Sequence, residues 1–224
     1  MAASEFTLVI GDKNWSSWSL RPWLAMRQAG VPFEEIHVRL RQPDTKTDIL
    51  ALSPTGFVPA LKWRGETIGD SLAICETIAD LFPERKLWPR DPLARAIARS
   101  AAAEMHSGFG ALRRDMPMAV IEHYPGQGHT DEALADARRI VQLWRDLRWR
   151  HGGQTPGDQG FLFGHFTVAD AMYAPVVTRL QTYGVDLAAL GDDGLARSYM
   201  EAVLTLPAMR DWIAGAEAEE KSRS

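Results

Sequence analysis

Cysteine is nearly missing from this chain: Cys75 stands alone among 224 residues. No disulfide can close within the sequence, and such thiol-poor composition points to a reducing compartment, the cytoplasm. Concentrated positive charge is missing too. The 25 Lys and Arg are interspersed with 29 Asp and Glu, for a net charge of −4, which argues against the basic face of a nucleic-acid binder. The one basic stretch, Arg138 to Arg150, reads as a solvated helix face with Trp144 and Leu147 turned inward. No apolar run approaches the ~20 residues of a membrane span. The opening residues carry no basic segment ahead of their short apolar run, so no signal peptide is expected. His37, His123, His129, His151 and His165 show no metal-ligand spacing, and neither HExxH nor a cysteine pair occurs, so no metal is expected. Internal repeats and low-complexity tracts are likewise absent.

What the chain does contain is a series of short punctuated elements followed by long helical ones. Phe6 to Ile10 reads as a buried strand stopped by Gly11-Asp12. A helix is expected from about Ser19, its N-cap, to Ala29, with Pro22 confined to the first turn because proline has no N–H to donate. Gly30 and Pro32 end it. Glu34 to Leu40 alternates as a second strand, and Pro43 to Leu52 is weakly helical up to the turn cluster Ser53-Pro54-Thr55-Gly56. Pro59 to Trp63 and Thr67 to Gly69 form a hairpin about Arg64-Gly65-Glu66. Asp70 and Ser71 then open a helix with Leu72, Cys75, Ile78 and Phe82 inward. The order β-α-β-α-β-β-α makes residues 1–83 a compact α/β unit. Residues 84–92, with prolines on either side of Trp88, read as a linker. Residues 93–224 read as an all-α domain: one long helix over Ala94 to Arg114, another over Thr130 to Arg150, a Gly- and Pro-rich loop from His151 to Gly160, and a helix over Thr167 to Tyr183. The last is opened by a capping box, Thr167-Val168-Ala169-Asp170.

Three motifs in this frame carry a resemblance. They are Asn14-Trp15-Ser16-Ser17-Trp18-Ser19-Leu20-Arg21-Pro22; Ser53-Pro54-Thr55-Gly56-Phe57-Val58-Pro59-Ala60-Leu61 followed by Asp70-Ser71; and Phe161-Leu162-Phe163-Gly164-His165-Phe166-Thr167-Val168-Ala169-Asp170. In this order the chain resembles the cytosolic glutathione transferase family over nearly its whole length, closest to the serine-type zeta class. The resemblance implies a thioredoxin-like first domain that binds glutathione and a helical second domain that supplies a pocket for a small electrophile. It also implies conjugation without a metal, and a homodimer in which exposed Phe57 is an anchor. Trp18 stands where zeta members carry a cysteine, which favours transfer over the isomerisation of maleylacetoacetate or peroxide reduction. A non-catalytic member of the fold that binds ligands or proteins is the remaining alternative.

The thiolate is the nucleophile in such chemistry, and a free thiol with pKa about 8.5 is mostly protonated near neutrality. The resemblance places the stabilising hydroxyl on Ser16, with Ser17 next. Trp18, Lys46, Val58, Pro59, Asp70 and Ser71 would bind glutathione. The Val58–Pro59 bond would be cis, the Asp70 carboxylate would meet the γ-glutamyl ammonium, Ser71 its carboxylate, and Lys46 the glycyl carboxylate. The second-substrate pocket would lie between Trp15 or Trp18 and His106, Phe109 and Arg113, which share a face at i, i+3, i+7 spacing. A cation at Arg113 would favour anionic electrophiles. Cys75, on an inward helix face, reads as structural and inert.

Overall fold

The computed structural model describes residues 4–153 and 156–223. Strand β1 (Phe6–Gly11) is apolar on both sides because it runs through the middle of a four-stranded sheet of order β2-β1-β3-β4. It lies parallel to β2 (Glu34–Val38) and antiparallel to β3 (Ala60–Trp63), which pairs in turn with β4 (Glu66–Gly69). Alternation sorts the side chains of β1 to opposite faces. Phe6, Leu8 and Ile10 pack with α1 (Ser17–Ala29) and α3 (Ser71–Leu81), whereas Val9 joins Val38, Ala60 and Ile49 of α2 (Thr45–Leu52). The larger core continues without interruption into the helices beyond residue 92.

Two details of α1 differ from expectation. The helix begins at Ser17, so Ser19 is not its cap; Ser19 is fully buried and its Oγ accepts the Gly11 N–H at 3.1 Å. Pro22 therefore lies inside the helix, past the first turn, and leaves the Trp18 carbonyl without its usual donor. An interior proline costs a helix about 3 kcal/mol. Burial of α1 against α3, α7 (Val168–Thr182) and α9 (Pro207–Lys221) offsets it. In α3 the buried side chains are Ser71, Ile74, Cys75, Ile78 and Ala79; Leu72 is only partly buried, and Phe82 follows the last helical residue.

After a single 3-10 turn at Pro83–Arg85, Trp88 is buried and donates through Nε1 to Glu76 at 3.0 Å. The long helix expected over Ala94 to Arg114 is two, α4 (Pro92–Ser107) and α5 (Gly110–Asp115), broken at Gly108-Phe109. Phe109 adopts φ 60°, a left-handed conformation that no helix can pass through, and its ring is buried. Helix α6 (Asp131–Leu147) is capped by Thr130 and passes into a π-helical turn, Arg148–Gly152. Trp144 and Leu147 face inward as expected. Arg148 turns inward as well, paired with Asp158 at 2.7 Å and bonded to the Phe161 carbonyl at 2.7 Å. Within the loop expected from His151 to Gly160, residues 154 and 155 lie outside the described residues.

Helix α7 opens with the expected box. The Thr167 N–H donates to Asp170 at 2.7 Å, and a second oxygen of Asp170 accepts the Leu162 N–H at 3.0 Å. Helices α8 (Leu195–Leu204) and α9 complete the fold. No helix among the described residues is long and apolar enough to cross a membrane.

Candidate active site

The loop from Asp12 to Ser16 is held from both sides. Asn14 donates to Glu122 at 2.8 Å, and its carbonyl accepts the Val120 N–H. The Lys13 N–H donates to Glu219 at 2.9 Å, while the Lys13 carbonyl accepts Trp212 Nε1–H at 2.7 Å. The start of α1 is thereby fixed against the helical part of the chain. Beside it opens a cleft of about 640 Å³. Its first wall comes from the start of α1 (Trp18), the turn before β3 (Thr55, Phe57, Val58, Pro59), and the junction of β4 with α3 (Gly69, Asp70, Ser71). Its second wall is His106, at the end of α4. The Val58–Pro59 bond is cis.

Asp70 joins the two walls. It caps α3 through one oxygen, which accepts the N–H groups of Leu72 at 2.8 Å and Ala73 at 3.1 Å. Its other oxygen lies 3.1 Å from His106 Nε2. Asp70 holds φ 71°, unusual for a residue with a side chain. Ser71 is 1% exposed, yet its Oγ has no hydrogen-bond partner among the described residues. His106 Nδ1 is likewise buried and unpartnered. Trp18 meets the His106 ring edge-on at 5.3 Å. Its own ring carries two guanidinium groups, Arg21 at 4.0 Å and Arg113 at 4.8 Å from the centroid.

The other expected residues fall around this frame in distinct ways. Ser16 is buried and its hydroxyl donates to Ser19 Oγ at 2.7 Å. Ser17, the first residue of α1, is also buried, and its hydroxyl makes no hydrogen bond with the described residues. Trp15 lies away from the cleft, its ring under Arg41 at 4.3 Å and Arg223 at 5.0 Å. Phe109 does not line the cleft either; the break between α4 and α5 destroys the face it was expected to share with His106 and Arg113. Arg113 instead closes that break, donating to the carbonyls of Met105 and His106 at the end of α4. Lys46 donates to the Gly56 carbonyl at 3.0 Å, with its ammonium 4.8 Å from the Phe57 ring. Cys75 is fully buried, and burial pushes its thiol far above the ordinary range, so it is not a nucleophile at neutral pH.

Two residues near the site had no expected role. Arg21 stands in the first motif, and Arg179 in the last turn of α7, where a basic residue is the ordinary occupant and so gives no signal. A third feature was invisible in sequence spacing. Asp12, His37 and Glu219, from three separate segments, bring donor atoms within 4.8 Å of one another. These groups pair with each other and with neighbours: His37 Nε2 lies 3.1 Å from Asp12, and Arg223 donates to the same Asp12 oxygen.

The profile of the glutathione S-transferase N-terminal domain matches residues 15–81, and that of the C-terminal domain matches residues 120–215. Glutathione S-transferase 1 of Dianthus caryophyllus is 30% identical over 180 residues, covering 77% of each chain. The chain belongs to the glutathione S-transferase family. Within that family, a relative from Pseudomonas aeruginosa named maleylacetoacetate isomerase is 30% identical over 184 residues, spanning 78% of this chain and 81% of its own. A glutathione transferase homologue from Burkholderia, solved with bound glutathione, superposes with a TM-score of 0.67 at 20% identity. That match covers 96% of this chain and 99% of the other. The two-part transferase architecture is thus shared across the whole chain.

Proposed function

We propose that the cleft binds glutathione and transfers its thiolate to a small electrophile. The observation that carries this reading is Ser71: a buried hydroxyl without a partner, on the cleft wall at the start of a helix. A buried polar atom left unpaired costs about 1–3 kcal/mol, and a carboxylate arriving at this helix start would satisfy the hydroxyl and meet the Ser71 N–H, which Asp70 leaves uncapped. Asp70, beside it, offers a carboxylate to the γ-glutamyl ammonium while keeping its bonds to α3. The extended backbone at Val58-Pro59 would take the cysteinyl backbone as an added strand does. Lys46 has two further N–H donors beyond its bond to the Gly56 carbonyl, and one of them would serve the glycyl carboxylate.

Lowering the thiol pKa by about two units requires roughly 2.7 kcal/mol of preference for the charged form. A hydroxyl donating to the sulfur supplies about 1.5–3 kcal/mol, and the N-terminus of α1 adds about 0.3–1 kcal/mol. Ser16 is the assigned donor, exchanging its bond to Ser19 for one to sulfur. Ser19 keeps its oxygen on the Gly11 N–H throughout. A second reading assigns Ser17, because its hydroxyl needs no exchange. Trp18 and His106 then form the wall facing the electrophile.

Calorimetric titration with glutathione, followed by ultraviolet absorbance of the bound thiolate against pH, tests the reading. Binding with a thiol pKa well below 8.5 supports it. Binding without ionisation would leave a ligand-binding member of the fold, and no binding would remove the reading altogether. The isomerase reading is favoured by the names of several relatives, from Pseudomonas aeruginosa to Rattus norvegicus; turnover of maleylacetoacetate in the same assay decides it. We also infer a homodimer anchored by Phe57, which is 71% exposed at the tip of its turn.

A further inference from the structure

Two guanidinium groups, Arg21 of α1 and Arg113 of α5, lie over the ring of Trp18, and a third, Arg179 of α7, is close enough to repel Arg21 and be repelled by Arg113. Arg21 is 0% exposed and Arg179 4%. The Arg21 side chain makes no hydrogen bond to any described residue, and its Nε and Nη1 are buried without a partner. The Nε atoms of Arg113 and Arg179 are buried and unpartnered too. Apart from the Trp18 ring, which Arg21 and Arg113 share, the remaining contacts are to neutral carbonyls: Arg179 donates to Pro175 at 3.2 Å, and Arg113 to Met105 and His106.

None of the three has a carboxylate at ion-pair distance among the described residues. Asp70 acts on Arg21 from farther away, and Asp136 on Arg113. Both acids are engaged elsewhere, Asp70 with α3 and His106, Asp136 with the Leu112 N–H at 3.0 Å. Burial first, and repulsion from Arg113 second, holds Arg179 down at about 10. Buried charge without a counter-charge is expensive, and proteins ordinarily pair it or place it where a ligand supplies the partner. Here the charge without a carboxylate lies against Trp18 and His106 of the cleft wall, and Arg113, half-buried and just outside the lining, is its least buried member.

We propose that the part of the cleft bounded by Trp18 and His106 receives a carboxylate of the second substrate, with Arg113 as its contact and Arg21 and Arg179 acting through their field. The proposal deepens the transferase reading above and rests on it: it makes the preferred electrophile an organic anion. Arg21 and Arg179 are too buried to touch the ligand and are specificity-determining at a distance. Glutathione carries carboxylates of its own, so the test separates the two sources of that chemistry.

Binding of 3-nitrobenzoate and of uncharged 3-nitrobenzamide is measured by calorimetry, on the protein alone and on the protein saturated with glutathione. The expected result is a preference of about tenfold or more for the carboxylate, the effect of one charge-assisted contact. The preference should persist with glutathione bound. Conjugation of 4-chloro-3-nitrobenzoate against 4-chloro-3-nitrobenzamide, each normalised to its uncatalysed rate, should show the same preference in kcat/KM. Arg113→Gln should abolish it and Arg113→Lys retain part of it, with circular dichroism reporting that α4 and α5 stay folded. Should Arg113→Gln unfold, Arg179→Gln serves instead, and a several-fold weaker preference is expected. Equal binding of the two nitrobenzene probes by the wild-type protein overturns the proposal, as does a preference that survives Arg113→Gln. A carboxylate preference lost on saturation with glutathione also overturns it, since the arginines would then serve the tripeptide. Failure to bind glutathione would instead strike the transferase reading, which the first titration reads separately.

Discussion

Ser16 and Ser17 are adjacent, both buried, and differ in one respect: the first hydroxyl is spent on Ser19, the second is not. That difference makes their variants informative. Ser16→Ala should raise the thiol pKa of bound glutathione and lower turnover about ten- to a hundredfold, the worth of a hydrogen bond to a charged group. Ser17→Ala should do less, and the reverse order would move the role to Ser17. Ser71→Ala should weaken glutathione binding about tenfold with little change in thiol pKa, because it faces a carboxylate rather than the sulfur. Much of this neighbourhood was legible in the sequence: Trp18, Val58, Pro59, Asp70, Ser71 and His106 all line one cleft. Trp15 was not, since one residue in a turn decides which side a ring takes. Arg21 and Arg179 were silent because a buried arginine looks in sequence like any other; what singles them out is the lack of a partner, a property of packing.

Element boundaries were legible wherever a side chain closes its own backbone, as Thr167 and Asp170 do. They were misplaced wherever a distant residue decides. Gly108-Phe109 breaks a helix whose composition would continue, and the break is closed by Arg113 from the next helix. Pro22 sits inside α1 because burial on several sides outweighs its missing donor. The capping box carries a prediction of its own. Burial, set against the N–H groups of Leu162 and Thr167, pushes the Asp170 carboxyl up to about 6. A carboxyl raised on folding contributes stability that is complete below its unfolded value of about 3.9 and is lost as pH rises through about 6. Thermal melts from pH 4 to 7 should contain this decline. Asp170→Asn should remove it, and should destabilise by about 1–3 kcal/mol because one buried N–H loses its acceptor.

For the molecule as a whole, the α/β first part with its closing hairpin and the helical second part were legible from element order alone, because a chain that changes from alternating to purely helical elements changes its layer architecture with them. Less legible was the continuous core that joins the two parts. If Phe57 anchors a dimer, Phe57→Ala should shift the mass measured by light scattering toward a monomer at micromolar concentration. A dimer of undiminished stability would discard the anchor.

The far end of the chain returns to its beginning: Trp212 and Glu219 hold the backbone of Lys13, and Arg223 reaches Asp12. Whatever displaces α9 is therefore levered against the turn that carries the serines. A substitution on α9 that slows catalysis would be reporting on that turn rather than on the chemistry.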